Sequence, residues 1–219
     1  MVFDPMRVAL WVGNGSAARA ATWLLHMALP VLALWLLLVR PQLDLAWDNR
    51  MAHFVLVFAA AIVSTVLGAL IGKGASARDD ARLWLVSLVF VISAGFFALH
   101  ALVTPGVLMQ TSDADFMLPS RVGLVLAGVV ALASAVEFTP ARIARVRWLR
   151  VPLTILVCVS MAACAAAIVY RVFDRLMDPA LVDGAAEVAG LVGSALFAVA
   201  ALAYFPLYRR RRAVVVMSC

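Results

Sequence analysis

The chain has 219 residues, of which 66% are hydrophobic and 14% charged, with a formal net charge of +6. A typical soluble domain has about 45–50% apolar and about 25% charged residues, and a single domain of this size has too little interior to hide the excess. A soluble globular fold and a disordered chain are both excluded. Lys73 is the sole lysine, which argues against a nucleic-acid partner despite the basic balance; the apolar composition places the protein in a lipid bilayer.

Crossing about 30 Å of hydrocarbon takes roughly 20 mostly apolar residues in a helix. Charge-free runs predict six such spans, near Ala20–Val39, Met51–Ile71, Leu83–Val103, Val122–Phe138, Val151–Tyr170 and Ala186–Leu207. The runs are continuous and rich in Leu, Ala and Val, unlike the alternating segments of about ten residues that build a membrane barrel. The expected fold is an all-α integral-membrane bundle of six helices. A cytoplasmic 1–19 segment, with an interfacial stretch as one reading, would precede a 20–208 membrane domain, and a 209–219 basic cytoplasmic tail would follow it.

Residues 1–19 carry Asp4, Pro5 and Arg7 before a Gly13-Asn14-Gly15-Ser16 break, which does not read as a cleavable signal. Ser16 would cap the first span. Between the second and third spans, the next helix is expected to begin near Ser76, with Asp79 and Asp80 in its first turn, where carboxylates suit the positive end of the helix dipole. Thr104 to Ser120 and Arg171 to Ala185 read as long acidic loops, and Thr139 to Arg150 as a basic connection whose Arg142, Arg145 and Arg150 fall on a helical spacing that fits an amphipathic interfacial turn.

Orientation follows from the basic residues, which cytoplasmic loops retain. With the N-terminus inside, 13 of the 18 basic residues fall on the cytoplasmic side, as do 4 of the 12 acids. The inner side is then +9 and the outer side −3. Both termini are predicted to be cytoplasmic and the location to be a bacterial inner membrane. Anionic headgroups are the expected partners of the inner Arg clusters.

Ionisable groups inside a bilayer are expensive and point to function. Here they are scarce: Arg19, Arg40, Arg50, Glu137 and Arg171 all fall at predicted span ends. No carboxylate relay, spaced arginine series, Ser/His pair or HExxH arrangement is visible, which disfavours pumps and hydrolases and predicts a non-catalytic protein. Cys158 and Cys164 are six residues apart on one predicted span, on different helical faces, so they form no disulfide framework. Gly123 and Gly128, and Gly190 with Ser194 next to Gly193, are expected to permit close helix contact, and Trp23, Trp47, Trp84 and Trp148 to mark span ends.

Histidine is the exception, because His26, His53 and His100 all lie in predicted spans. At 1.5 Å per residue, His53 and His100 fall at the same depth, roughly 3–5 Å below the outer surface, on antiparallel neighbours. His26, on the inner half of the first span, would not join them. The pair could hold a metal, with Met109, Asp113, Asp115 or Met117 as further ligands. Methionine with imidazole would suit copper, and imidazole with carboxylate would suit zinc. A haem between the two helices is a further option. The plain alternative is that each ring is satisfied by backbone, water or headgroup.

The stretch from Ala81-Arg82-Leu83 through Ser93-Ala94-Gly95-Phe96, and above all Phe97-Ala98-Leu99-His100-Ala101-Leu102-Val103-Thr104-Pro105-Gly106, resembles the membrane-embedded N-terminal input region of bacterial signalling proteins. In those proteins a multi-helix module precedes cytoplasmic nucleotide-cyclase, histidine-kinase or related output domains. The resemblance covers about 25 residues, with His53-Phe54 and the topology as weaker support. It implies a sensor whose outer half receives a ligand or metal and whose inner end drives an effector, with His100 as the motif histidine. Seven residues follow Arg209-Arg210-Arg211-Arg212, so the resemblance implies a stand-alone or truncated member, or output supplied by a cytoplasmic effector or membrane partner subunit. Two other readings compete: a metal- or haem-binding subunit in redox or metal handling, and a structural or assembly subunit of a larger membrane complex.

Overall fold

The computed structural model describes residues 25, 28, 29, 32, 35, 36, 39, 40, 49–108, 113–172 and 178–217; at 113–115, 179, 180 and 208–217 it describes the backbone alone. The chain divides into two units, Met1–Asp48 and Asn49–Cys219. In the first, positions 25, 28, 29, 32, 35, 36 and 39 are helical, and the Arg40 amide donates to the Leu36 carbonyl. Most of the expected first span, with His26, Trp23, Trp47 and Ser16, lies outside the described residues.

The second unit is built from five helices: α1 (Arg50–Arg78), α2 (Ala81–Leu102), α3 (Asp113–Ala135), α4 (Pro140–Val169) and α5 (Pro179–Met217). Each contains a stretch long and apolar enough to cross a membrane. Helices are forced here because hydrocarbon offers backbone groups no other hydrogen-bond partner.

The helices outrun the apolar runs that announce them, because the hydrogen-bond ladder continues where hydrocarbon ends. Ser76 therefore does not open a helix; it belongs to α1, which runs on through Lys73 to Arg78. Asp79 and Asp80 are not in a first turn either. Asp79 caps the end of α1 in the left-handed region at φ 49°, its amide reaching Ala75 and Ser76 carbonyls. Asp80 caps the start of α2, where its carboxylate accepts from the amides of Arg82 (2.9 Å) and Leu83 (3.1 Å). Two caps in two residues reverse the chain.

The Thr139–Arg150 connection is mostly helix, in keeping with its arginine spacing, and continues unbroken into the span. Thr139 caps α4 and Pro140 occupies its first turn, where a missing amide hydrogen costs nothing. The expected loop from Thr104 to Ser120 shortens too, since α3 starts at Asp113. The 171–185 loop gives way to α5 at Pro179, and α5 runs on to Met217, through much of the expected basic tail.

Packing centres on α2. In α2 39% of the spanning stretch is buried, against 11% in α1 and in α4, which leaves those two broadly apolar on the outside. Leu88, Ile92 and Phe96 of α2 form the core with Ala127 of α3 and Val157 of α4. Trp84, expected as a span-end marker, packs against that cluster, whereas Trp148 is 78% exposed.

The expected glycines do mark close approaches within the bundle. A Cβ on Gly123 would overlap the Phe96 Cβ across the α2–α3 seam. One on Gly128 would lie 2.9 Å from the Leu196 Cβ, and one on Gly193 2.7 Å from Leu124 Cγ, both across the α3–α5 seam. Between α1 and α2, the Ser87 hydroxyl donates to the Gly68 carbonyl at 2.7 Å.

At the far end of the α3–α5 seam, the Ser134 hydroxyl donates to the Ala131 carbonyl at 2.6 Å and sits 2.7 Å from the Tyr204 hydroxyl. With its one hydrogen committed, Ser134 must accept from Tyr204. Hydrogen bonds between membrane helices average about 0.6 kcal/mol and reach about 1.7. Tyr204→Phe is expected to lower stability within that range, measured by denaturing-detergent titration.

Candidate functional site at the paired histidines

The site is assembled from three helix ends. Asn49 caps α1 with its side chain accepting from the Ala52 amide, which sets Arg50 and His53, one turn apart, at the start of the helix. His100 lies two residues before the end of α2, at Leu102. Beyond it, Thr104, Pro105 and Gly106 turn the chain. Gly106 takes φ +74°, a conformation that L side chains resist. The Arg50 guanidinium reaches the Pro105 carbonyl at 3.4 Å, so the turn after α2 is tied to the residue one turn before His53.

His53 Nε2 and His100 Nε2 are 3.3 Å apart, with the rings edge to face at 78°. On its other side, His100 Nδ1 is 2.6 Å from the Phe116 carbonyl of α3. A carbonyl only accepts, so Nδ1 carries the hydrogen. In the neutral ring Nε2 of His100 is then a bare lone pair, and His53 supplies the hydrogen between the two Nε2 atoms. The Phe116 ring packs against His100 with centroids 4.3 Å apart and against His53 at 5.6 Å. His53 is exposed and His100 half-buried, so the pair is held from the bundle side and open on the other.

The sequence-predicted residues divide as follows. His53 and His100 are brought together. Met109 lies outside the described residues, as do the side chains of Asp113 and Asp115, although α3 opens at Asp113. Met117 follows Phe116 and is 40% exposed, turned about 100° round the helix from it. Among the described residues no group of three or more His, Cys, Asp or Glu side chains converges.

Sequence reasoning missed Phe116 and Arg50. A backbone carbonyl has no residue-type signature, and Phe116 falls inside the loop expected from the sequence. Arg50 had a usable signal in its spacing of three from His53. Thr104, in the same turn, is 2% exposed, and its hydroxyl is buried without a partner.

At the opposite end, arginines tie α4 to the α1–α2 turn. Arg147 and Arg150 both pair with Asp79, and Arg82 donates to the Val136 carbonyl at 2.9 Å while lying over the Phe138 ring. Arg142 donates to the Glu137 carbonyl. An open cleft of about 350 Å³ is lined by Arg78, Asp79, Arg82, Phe138 and Ile143 among others. The Asp79 side chain is 50% exposed, and exposed pairs contribute about 0–1 kcal/mol. Asp79→Asn should therefore cost no more than about 1 kcal/mol yet loosen α4, seen as faster amide hydrogen exchange at residues 144–150.

Comparison with protein-family models, with curated proteins and with solved structures gives no match to this chain.

Proposed function

We propose that the chain is a non-catalytic module of a bacterial inner membrane with a sensory, signalling-input role. Its six helices have both termini in the cytoplasm, and its outer end receives a ligand or metal at His53 and His100. One observation carries this reading: the two rings meet at 3.3 Å while the second is anchored to a third helix through the Phe116 carbonyl. A ligand that takes the Nε2 lone pairs must displace the hydrogen between them, and the displacement acts on the ends of α1, α2 and α3 together.

Those helices lead to the opposite end, where Asp79 and Arg82 hold α4 and the α3–α4 turn. In the proposed orientation that end faces the cytoplasm and a partner effector. The test places spin labels at Arg78 and Ala141 of the reconstituted chain and reads their separation during titration with metal ions and small imidazole-binding ligands. A ligand-dependent change that is lost in His53→Ala supports the role. An unchanged distance across the whole panel overturns it.

A further inference from the structure

We infer that His53 and His100 supply two corners of a tetrahedral site for a divalent transition ion of the zinc type. This rests on the reading above that the paired histidines are the receiving site, and it names what they receive.

The spacing between the rings suits a tetrahedral ion. Zinc bound by imidazole nitrogens at about 2.0–2.1 Å in a tetrahedron sets those nitrogens about 3.3–3.4 Å apart. The two Nε2 atoms are 3.3 Å apart. Adjacent corners of a square-planar copper site, with bonds of similar length, would be closer, near about 2.8–3.0 Å. Two axial ligands of a haem face each other across the iron at about 4 Å, with a macrocycle between them. The spacing that the shared hydrogen now holds is also that of a tetrahedral edge, so an ion replacing that hydrogen would not have to part the helices.

The surroundings complete the case. A metal-binding histidine commonly donates its other ring hydrogen to a carbonyl or carboxylate, which fixes the tautomer and aims the lone pair. His100 does this through Nδ1 to Phe116, so its Nε2 is already in the state a metal requires. His53, whose ring is exposed, exchanges its ring hydrogen from Nε2 to Nδ1 as the ion enters. Among the described residues, the Arg50 guanidinium is drawn onto the Pro105 carbonyl, and Arg121 of α3 acts on His100 electrostatically. Water supplies the remaining corners on the open side of the pair, where His53 is exposed.

The test uses the full chain, purified in detergent and stripped of metal, titrated with cobalt(II) as a spectroscopic stand-in and then with competing zinc(II). One cobalt per chain, with the strong visible absorption of a tetrahedral ion and displacement by zinc, is expected. Removing a ligand should weaken binding by at least the roughly 10–100-fold that loss of an orienting partner costs. His100→Asn is the decisive variant, since its amide nitrogen replaces Nδ1 toward Phe116 and keeps the fold, but it has no Nε2. Wild-type binding in His100→Asn, a weak octahedral spectrum, or no binding by the native chain would each overturn the inference. Tetrahedral binding without a change at the Arg78–Ala141 labels sinks the sensory role and leaves the site. A label response to a metal-free ligand, with no cobalt bound, sinks the site and leaves the role.

Discussion

Gly123→Leu is expected to part α2 from α3 and to damage the histidine site in the same stroke. Even the first carbon of the new side chain would overlap the Phe96 Cβ, an atom fixed to the backbone that no rotamer can move aside. Phe96 itself is 1% exposed and central to the core, so the helices must separate. Forcing extra atoms into a well-packed core typically costs about 1–3 kcal/mol, sometimes more, and in a bilayer close packing is itself what holds helices together. The register carries the damage further. Gly123 is two turns from Phe116 on α3, and Phe96 is one turn from His100 on α2, so the seam that opens is the one holding the carbonyl to the ring.

Two readouts check this. Denaturing-detergent titration should show a loss of at least about 1 kcal/mol, and the cobalt affinity of the folded fraction should fall along with it. Gly95→Ala is the internal control. Its Cβ would meet the tip of Met161 on α4, an unbranched side chain that can swing aside. That variant should stay within about 0.5 kcal/mol of wild type and bind cobalt normally. Equal damage from both substitutions would refute the assignment of Gly123 to a backbone-limited contact.

The spans and the histidine pair were legible in the sequence for different reasons. Long apolar runs reveal membrane helices because hydrocarbon tolerates little else, and the five described helices each contain one. Their ends were hidden, since charge marks where hydrocarbon stops and not where the backbone ladder stops. Arg78 still lies in α1, and Arg142 to Arg150 form the first turns of α4. Equal depth on antiparallel neighbours could be counted from the rise per residue, and the structure brings His53 and His100 to 3.3 Å. Facing is a matter of rotation, which depth does not give. The anchor on Phe116 was out of reach, because it is a carbonyl on a helix turn that polar neighbours disguise as loop. Arginines that read as topology signal also bind Asp79 and the Val136 carbonyl, pairings that depend on which turns meet across the bundle end.

Gly128→Leu separates packing from the site, because it strikes α3 on the side facing α5. A Cβ there would lie 2.9 Å from the Leu196 Cβ and 3.3 Å from the Gly193 carbonyl, again atoms held by backbone. The penalty should match that of Gly123→Leu, about 1–3 kcal/mol, and Gly193→Leu, which meets Leu124 from the opposite wall at 2.7 Å, should reproduce it. Among the described residues, none of the histidine contacts runs through α5: His53, His100 and Phe116 belong to α1, α2 and α3. Gly128 is also three turns from Phe116, so separation of α5 starts far from the pair. The expected result is a protein that unfolds at lower denaturant but, while folded, binds cobalt within about threefold of wild type, about 0.7 kcal/mol. If Gly128→Leu weakens cobalt binding as much as Gly123→Leu does, the site depends on the whole bundle and not on the α1–α2–α3 ends. A stability loss without a change in affinity localises the receiving site to those three helices and leaves α5 as support for α3.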